Sequence, residues 1–279
     1  MTSNTGVLYV VATPIGNLAD ISERAKSILE LVDFVAAEDT RHSGRLLQHL
    51  GINKKLISLH DHNERQKAAT IVQKLKNGQH IALVSDAGTP LISDPGYHLV
   101  REVRDADCKV VPIPGACALV AALSASGLAT DRFIFEGFLP AKSGARRKHL
   151  QSLVNEARSI VFYESTHRIE DSLKDMESIF GDTRLVTIAR ELTKTFETIK
   201  TDKLSNIIKW IDEDSDQKRG EFVVIASGNP QALTADESES DRVVDILMTK
   251  LPLAQATSLA SEITGQRKKG LYQRALDRK

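Results

Sequence analysis

The chain has 279 residues, of which 41% are hydrophobic, and its 37 Lys and Arg residues balance 37 Asp and Glu residues. This length supports two modest domains, each with a core of its own, and the balanced charge excludes nucleic-acid binding through the overall field of the protein. Any nucleic-acid partner therefore requires a local basic patch. The most apolar predicted helix, residues 116–128, is too short to span a bilayer, and the first residues show no leader pattern. We expect a soluble, cytoplasmic protein with reduced cysteines and no membrane partner.

Short apolar runs alternate with helical patterns over the first part of the chain. The runs that predict strands are residues 7–12, 34–37, 56–59, 81–84 and 109–113. Between them lie helical spacings of apolar residues and loops rich in Gly, Pro or polar side chains. This alternation predicts an α/β domain over residues 1–125.

The pattern changes in the second half of the chain. Further strands are predicted at residues 133–137, 159–163, 185–189 and 221–226. With the helices between them they predict a second α/β domain, residues 126–228, with a more mixed sheet. Gly, Pro, Ser and acidic residues mark residues 229–240 as a linker. Residues 241–279 regain helical periodicity and carry eight Lys and Arg against four Asp and Glu, which predicts a small, basic helical C-terminal extension.

The loop after the fourth predicted strand is dense in turn residues. Residues 85–96 read SDAGTPLISDPG, where glycines permit close backbone approach and prolines stiffen the chain. In an open α/β sheet, ligands bind outside the carboxyl ends of the strands, where this loop would lie. Residues 13–17 and 114–118 form two more Gly/Pro loops directly after strands. Together the three loops predict a backbone-walled pocket for a compact zwitterionic or adenosine-bearing ligand; the alternative is a set of ordinary strand–helix turns.

Common nucleotide and hydrolase motifs are missing from the sequence. No loop reads G-x-G-x-x-G with a following acid, G-x-x-x-x-G-K-[ST], G-x-S-x-G or H-E-x-x-H. A dinucleotide Rossmann site, a P-loop and a zinc protease are therefore not expected. Cys108 and Cys117 lack metal-ligand spacing, so no metal site is expected either.

Strings spread collinearly from about residue 7 to residue 226 resemble one known family. They read ATPIGNLADI, AAEDTRHS, HNER, ALVSDAGTPLISDPGYHLV, PIPGACALVAALSASGL, FEGFLPAK, FYESTHRI, ARELTKTFE and GEFVVIASG. The family is that of the tetrapyrrole methylase-fold methyltransferases, and the resemblance is closest to its members that modify 16S rRNA, whose C-terminal extension the basic tail also resembles. It implies S-adenosylmethionine bound in a cleft between two α/β domains of a homodimer. It further implies 2′-O-methylation of a cytidine ribose in the decoding region of the 16S rRNA of the small ribosomal subunit.

The same resemblance implies which residues hold the cofactor. In the first domain these are Pro14, Gly16, Asp86, Ala87, Gly88, Thr89, Pro90, Ile92, Ser93, Asp94, Gly115, Ala116, Cys117 and Ala118. In the second domain they are Tyr163, Glu164, Arg190 and Leu192. Cys117 stands where the family commonly has a serine, which puts one hydroxyl contact to the cofactor in question.

A sulfonium methyl group is reactive without a metal, so the enzyme must mainly align the ribose hydroxyl and accept its proton. The candidate bases are Glu38, His60, His62 and Glu191, and the carboxylates of Asp39, Glu64 and Glu164 are further possibilities. For the two histidines, a solvated loop with a helix cap is an equal alternative. For Glu38, the alternative is an internal ion-pair and cap cluster with Asp39, Thr40 and Arg41. For Glu191, together with Arg190, it is a salt bridge at the domain interface.

RNA binding requires cations near the phosphates. One basic segment contains Lys142, Arg146, Arg147 and Lys148, and a second contains Arg267, Lys268 and Lys269, with Tyr272 available to stack on a base. The alternatives are a solvated helix start and chance surface charge. Two other functions stay open: a same-fold methyltransferase acting on a tetrapyrrole or a protein, and a non-catalytic RNA-binding protein of ribosome assembly.

Overall fold

The computed structural model describes residues 5–60, 62–230 and 235–278. Its first sheet has five parallel strands in the order β3-β2-β4-β1-β5. These are β1 (Val7–Val11), β2 (Phe34–Ala37), β3 (Lys55–Ser58), β4 (Ile81–Val84) and β5 (Lys109–Ile113). Because the strands run parallel, their carboxyl ends lie along one edge, and the loops that follow them meet there.

Helices cover both faces of the first sheet. They are α1 (Glu23–Leu31), α2 (Thr40–His49), α3 (Glu64–Lys76) and α4 (Tyr97–Asp105). Side chains of β1 alternate between the two layers: Leu8 packs in the core that contains α3 and α4, and Val11 packs in the core that contains α1 and α2. Both residues are fully buried. Because helices cover this parallel sheet on both sides, its strands have the near-continuous apolar sequences that were used to predict them.

The second sheet also has five strands, in the order β6-β7-β10-β8-β9. They are β6 (Phe133–Phe138), β7 (Ser159–Ser165), β8 (Leu185–Arg190), β9 (Thr198–Lys203) and β10 (Glu221–Ala226). β6 pairs with β7 in parallel, and the remaining pairs are antiparallel, which confirms the predicted mixed sheet. β9 was not predicted from the sequence, because its half-exposed TIKTDK segment contains too few apolar residues to indicate a strand. Such a composition suits a strand at the edge of a sheet.

The two faces of the second sheet pack against different helices. One face forms a core with α6 (Ser143–Ser152), α7 (Ile169–Phe180) and α8 (Leu204–Glu213). The other face packs against α5 (Ala118–Ala125), where Leu119 and Leu123 are buried with Val161 and Val223. We expected this helix to end the first domain, but its apolar side chains lie on the second sheet. The loop before α5 is therefore held between the two sheets.

The C-terminal region consists of α9 (Ala235–Met248), α10 (Leu253–Thr264) and α11 (Lys268–Asp277), packed around Val244, Ala260 and Leu271. The predicted linker is too long at its C-terminal end, because α9 begins at Ala235, while residues 231–234 lie outside the described residues. Its acidic residues suggested a linker, but acids are also favoured in the first turns of a helix. Within the described ranges, no helix combines the length and hydropathy needed to cross a membrane.

Candidate functional site

A cavity of about 720 Å³ is lined by both α/β domains. A volume of this order is typical of small-molecule sites. The first domain contributes Ile15, Glu38, Asp86, Ala87, Gly88, Thr89, Ile92, Ser93, Asp94, Cys117 and Ala118. The second contributes Phe138, Tyr163, Glu164, Ser165, Thr166, His167, Ala189, Glu191, Leu192, Lys194, Gly220, Glu221, Phe222 and Val223. Most residues that the sequence assigned to the cofactor are therefore brought together at one place.

Backbone and hydroxyl contacts join the three Gly/Pro loops. Thr13 and Gly88 exchange backbone hydrogen bonds, with N···O distances of 2.8 and 3.1 Å. The Thr89 hydroxyl donates to the Ala116 carbonyl at 3.0 Å. Gly88 has a φ of +81°, a conformation that side chains other than glycine rarely adopt. The loops consequently form one connected wall.

Carboxylates stand on that wall. β2 and β4 are neighbours with Ala37 opposite Val84, so Glu38 and Asp86 follow adjacent strand ends. Asp86 Oδ1 accepts from the Asp39 N–H at 3.0 Å, which ties the two segments together. With Asp94, these carboxylates give the cavity acceptors for ligand hydroxyl or ammonium groups.

Asp39 performs a different task from its neighbour Glu38. As the N-cap of α2, its Oδ1 accepts from the N–H of Arg41 at 2.7 Å and from the N–H of His42 at 3.4 Å. The bond from the Arg41 backbone is the largest reason that the pKa of Asp39 lies below its ordinary value. Asp39 is therefore a helix cap, whereas Glu38 lines the cavity.

Tyr163 links the second sheet to the third loop. Its hydroxyl oxygen accepts from the Leu119 N–H at 3.2 Å, in the first turn of α5. Burial, together with the nearby Cys117 thiol, raises the pKa of Tyr163 well above its ordinary value, so the phenol stays protonated. Tyr163 thus fixes the start of α5 against the cavity.

The segment after β8 closes the cavity from the second domain. Glu191 and Thr193 have φ values of +50° and +63°, which are unfavourable for side chains other than glycine and especially for a β-branched one. The Thr193 N–H donates to Glu197 Oε2 at 2.6 Å, and the Thr193 hydroxyl accepts from the Asn17 N–H at 3.2 Å. These bonds stabilise the strained backbone and join it to the first loop.

Lys194 lies across this junction. Its Nζ donates to Glu191 Oε1 at 2.8 Å and to Glu221 Oε2 at 2.9 Å. A Cβ on Gly16 would lie 2.5 Å from Lys194 Cγ, so glycine is required for the two domains to approach this closely. Burial lowers the pKa of Lys194, but its bonds to the two carboxylates outweigh that effect, and Lys194 remains a cation.

Of the four candidate bases, Glu191 is held by structural bonds. Burial raises the pKa of Glu191, yet the bonds from Lys194 and from the Glu221 backbone outweigh it and bring the pKa below its ordinary value. A carboxylate so stabilised in its ionised form is a weak proton acceptor. Glu191 contacts the cavity, and its bonds to Lys194 and to the Glu221 backbone lie within the second domain.

His60 and His62 lie outside the cavity wall. Their rings are 6.0 Å apart, and Asn63 bonds to the His60 backbone N–H at 3.0 Å. Glu64 of the same motif is buried and accepts from the Leu99 N–H at 2.8 Å, at the start of α4. Through Glu64 this motif supports the start of α4, the helix that follows the central loop.

Some residues assigned to the cofactor adjoin the cavity without lining it. They are Pro14, Gly16, Pro90, Gly115, Ala116 and Arg190. Gly115 is needed for packing, since a Cβ there would lie 2.8 Å from Ala12 Cβ. Arg190 is 7% exposed and donates to the carbonyls of Arg219 and Phe196 at 2.6 and 3.2 Å. It supports the segments beside the cavity.

Several residues of the cavity wall were not predicted from the sequence as site residues. Phe138, His167 and Lys194 lie within the quoted strings, as do Gly220 and its successors in β10. A single aromatic or basic residue in a string carries no spacing signal. Only their meeting at one cavity identifies them.

The basic segment at α6 requires one correction. Arg146 is 3% exposed, its Nε donates to Asp175 Oδ2 at 2.7 Å, and a further nitrogen donates to the Ala141 carbonyl at 3.3 Å. The expectation that Arg146 contacts RNA is therefore wrong, because its guanidinium is already bonded inside the domain. The neighbouring cations, Lys142, Arg147 and Lys148, are exposed.

The second basic segment lies at the start of α11. Arg267, Lys268, Lys269 and Tyr272 are exposed, Tyr272 by 39%. α10 ends at Gly265, which has a left-handed φ of +71°, so a short turn joins it to α11 as in a helix-turn-helix. Arg274 and Arg278 instead bond to the buried Asp241. Among the described residues, three consecutive exposed cations thus lie at the start of α11.

The cavity suits a zwitterionic, adenosine-bearing cofactor. Backbone and glycine form the wall, Asp86 and Asp94 supply acceptors for hydroxyl or ammonium groups, and Ile15, Ile92 and Leu192 offer apolar contacts for a ring. Cys117 is a free thiol in this wall, at the position where we expected the loss of one hydroxyl contact.

Comparisons with known proteins place the chain in a family. The family model described as Tetrapyrrole (Corrin/Porphyrin) Methylases matches residues 7–208, and the model described as RsmI C-terminal HTH domain matches residues 234–279. Two relatives carry the name ribosomal RNA small subunit methyltransferase I. The one from Pasteurella multocida is 56% identical over 99% of both chains. The one from Escherichia coli O157:H7 is 54% identical over 99% of this chain and 96% of its own.

Solved structures agree on the fold. Uroporphyrin-III-C-methyltransferase from Thermus thermophilus superposes with a TM-score of 0.53 at 17% identity, over 80% of this chain and 94% of its own. A diphthine synthase superposes with a TM-score of 0.59 at 17% identity, over 80% of this chain and 90% of its own. At such identities the likeness concerns the fold alone.

Proposed function

The chain belongs to the tetrapyrrole methylase family, and we propose that it transfers a methyl group from S-adenosylmethionine to the rRNA of the small ribosomal subunit. The observation that carries this proposal is near full-length identity above 50% to relatives named for that activity. A cavity with wall residues from both domains supplies the site. The finer proposal is 2′-O-methylation of a cytidine ribose in the decoding region of 16S rRNA.

The C-terminal helices favour RNA over a tetrapyrrole or protein substrate. They lie beyond the part of the chain matched by the tetrapyrrole methylase model, and they place Arg267, Lys268 and Lys269 on an exposed helix start. Together with Lys142 and Arg147 at α6 they provide local positive charge on a chain with no net charge. Such local charge is what phosphate binding requires.

When bound, S-adenosylmethionine supplies the electrophilic methyl carbon. The loops after β1, β4 and β5 would hold the cofactor, and the carboxylates of Asp86 and Asp94 would accept hydrogen bonds from its polar groups. Glu38 would accept the proton of the ribose 2′-hydroxyl, because its carboxylate lies in the cavity wall beside the loop of Asp86. Glu164 of the same wall is 3% exposed and bonded to Ser172 and Arg168. Walls from both domains exclude water and align the two reactants.

The proposed role of Glu38 is tested by substituting Glu38, with a substitution of the adjacent Asp39 as the control. Glu38→Gln should lower kcat by about 10²- to 10⁴-fold with little change in cofactor affinity. Asp39→Asn is the control, because asparagine caps a helix as well as aspartate and should preserve activity. Equal losses in the two variants would contradict a proton-accepting role for Glu38.

The function itself is tested with labelled methyl groups. Small subunits from cells that lack the endogenous activity are incubated with the protein and methyl-labelled S-adenosylmethionine, and the RNA is digested to nucleosides. Label in 2′-O-methylcytidine is the expected result. Label on a base would keep rRNA methylation and reject the ribose assignment. Binding of the cofactor without transfer to subunits or naked rRNA would favour a tetrapyrrole or protein substrate, and RNA binding without cofactor binding would favour a non-catalytic role.

We also propose that the protein acts as a homodimer in the cytoplasm, where its ribosomal substrate is found. Large apolar side chains that remain exposed, among them Phe196 at 71% and Val120 at 59%, are compatible with burial in a second copy. Light scattering at several concentrations measures the mass. A monomer at the concentrations where activity is measured would refute this part of the proposal.

A further inference from the structure

Phe138 is a large aromatic side chain that the fold leaves exposed inside a binding cavity. It is the last residue of β6, it lines the cavity, and 54% of it is exposed. Exposure of an aromatic ring in a cavity, with apolar residues buried around it, indicates a surface that a ligand covers.

An irregularity in β6 brings this ring to the cavity. Phe135 lies opposite Val161, but Gly137 lies opposite Phe162 and Phe138 opposite Tyr163, with the register shifting between Phe135 and Gly137. In a regular strand, residues three apart point to opposite faces. The extra residue restores Phe138 to the face of Phe135 and Tyr163, whereas Phe162 is buried in the core of the other face. β-Bulges next to active sites re-aim side chains in this way.

The ring is held in place by its neighbours. Its centroid lies 5.7 Å from that of Tyr163 at an interplanar angle of 64°, and Phe135 lies 4.9 Å from Tyr163 at 68°. Tyr163 is itself fixed by the bond from the Leu119 N–H. Edge-to-face packing of this kind is favourable, and it leaves the free face of Phe138 with little conformational freedom to lose on binding.

The bulge also connects the cavity to the basic surface of α6. The Oε2 atom of Glu136, the extra residue, lies 3.1 Å from His149 Nε2 of α6. The same helix presents the exposed Arg147 and Lys148. The bulge thus lies between Phe138, which lines the cavity, and α6, which carries these exposed cations.

We propose that Phe138 is the platform on which the base of the target nucleotide stacks while its ribose enters the cavity. This inference rests on the proposed function, and it adds the residue that recognises the unstacked base. A ribose hydroxyl reaches an enclosed cavity only if its nucleotide leaves the RNA stack, and proteins recover the lost stacking with an aromatic side chain. Such a contact positions the nucleotide and tolerates different bases.

Four variants separate stacking from other roles. Phe138→Ala should lower kcat/KM for methylation of small subunits by about 5- to 150-fold, while the dissociation constant for S-adenosylmethionine changes less than about twofold. Phe138→Tyr should retain activity, and Phe138→Leu, which keeps apolar bulk but has no aromatic face, should resemble the alanine variant. Phe133→Ala is the control, because Phe133 is 41% exposed at the other end of the same strand.

Three results would overturn the proposal. A matching loss of S-adenosylmethionine affinity in Phe138→Ala would make Phe138 a cofactor contact. Full activity of Phe138→Leu would make it an apolar wall, and unchanged activity of Phe138→Ala would leave it without a role in the reaction. Failure of the proposed function itself is seen separately, as absence of rRNA methylation by the wild-type protein, and it would overturn the base contact as well.

Discussion

Replacing Arg146 with alanine tests whether this residue of the basic segment at α6 stabilises the fold, while its exposed neighbour binds RNA. The Arg146 side chain is 3% exposed and its Nε lies 2.7 Å from Asp175 Oδ2. Alanine would leave the Asp175 carboxylate, itself only 14% exposed, with the Ser143 hydroxyl as its remaining side-chain donor at 2.9 Å. Breaking a buried ion pair costs about 3–5 kcal/mol. Because Ser143 and some solvent still reach Asp175, we expect the lower end, about 3 kcal/mol.

The adjacent Arg147 is exposed and serves as the matched comparison. Arg147→Ala should change the free energy of unfolding by no more than about 0.5 kcal/mol. It should instead weaken binding to small subunits and reduce the slope of log K against log salt by about 1. Arg146→Ala should leave that slope unchanged. Urea unfolding measures the first quantity, and filter binding over a range of salt concentrations measures the second.

Substitution of Asp175 tests whether the loss of stability in Arg146→Ala comes from the broken ion pair. Asp175→Asn should also lower the free energy of unfolding. The loss in the double variant should be smaller than the sum of the two single losses by at least about 1 kcal/mol, because the two residues share one interaction. If Arg146→Ala unfolds like the wild type and loses RNA affinity as Arg147→Ala does, the structural role that we assign to Arg146 is refuted.

The remaining predictions concern a helix start, an acid-sensitive ion pair and the C-terminal patch. Glu64→Ala removes the acceptor of the buried Leu99 N–H and should lower the free energy of unfolding by about 1–3 kcal/mol, while Glu64→Gln should recover part of it; equal stability of the two variants in urea would count against the bond. The hydrogen bond from Arg158 holds the pKa of Glu156 at about 2, against an ordinary 4.5, so its stabilisation is complete above about pH 4.5 and is lost as the pH falls toward 2. Between about pH 5 and pH 2, the free energy of unfolding should therefore fall by about 1–2 kcal/mol less in Glu156→Gln than in the wild type. This figure is reduced because solvent reaches Arg158. An equal fall in the two proteins would contradict the prediction. Lys269→Glu should weaken binding to small subunits by about tenfold in filter binding with unchanged affinity for S-adenosylmethionine, and unchanged RNA binding would remove α11 from the interface.

The parts of the fold that follow from local signals could be predicted from the sequence. The apolar runs of β1 and β4 and the turn residues after them are contiguous, so pattern alone locates both the strands and the loops. Once the strands are known to be parallel, the loops after them must share an edge. The residue pattern alone predicts only a compact zwitterionic or adenosine-bearing ligand, and the proposal of S-adenosylmethionine depends on the family resemblance.

Features that depend on pairing or burial could not be predicted in this way. Nothing in the run of basic residues at α6 shows that Arg146 turns inward to Asp175, because a helix exposes or buries a residue according to what packs on it. The acidic start of α9 has a composition that predicts a linker, although the segment is helical. The positive φ of Thr193 is compatible with no local preference and is held by bonds to Glu197 and Asn17 from elsewhere in the chain.

The different topology of the two sheets explains why half of the cavity was harder to predict than the other. In the parallel first sheet, following a strand is enough to place a residue at the ligand edge. In the second sheet, β10 is antiparallel to both β7 and β8, with Phe222 opposite both Glu164 and Arg190. The cavity therefore meets the carboxyl ends of β7 and β8 but the amino end of β10. A strand's position in the sequence does not reveal which of its ends faces the ligand, so the residues of β10 become part of the site only when the pairing is known.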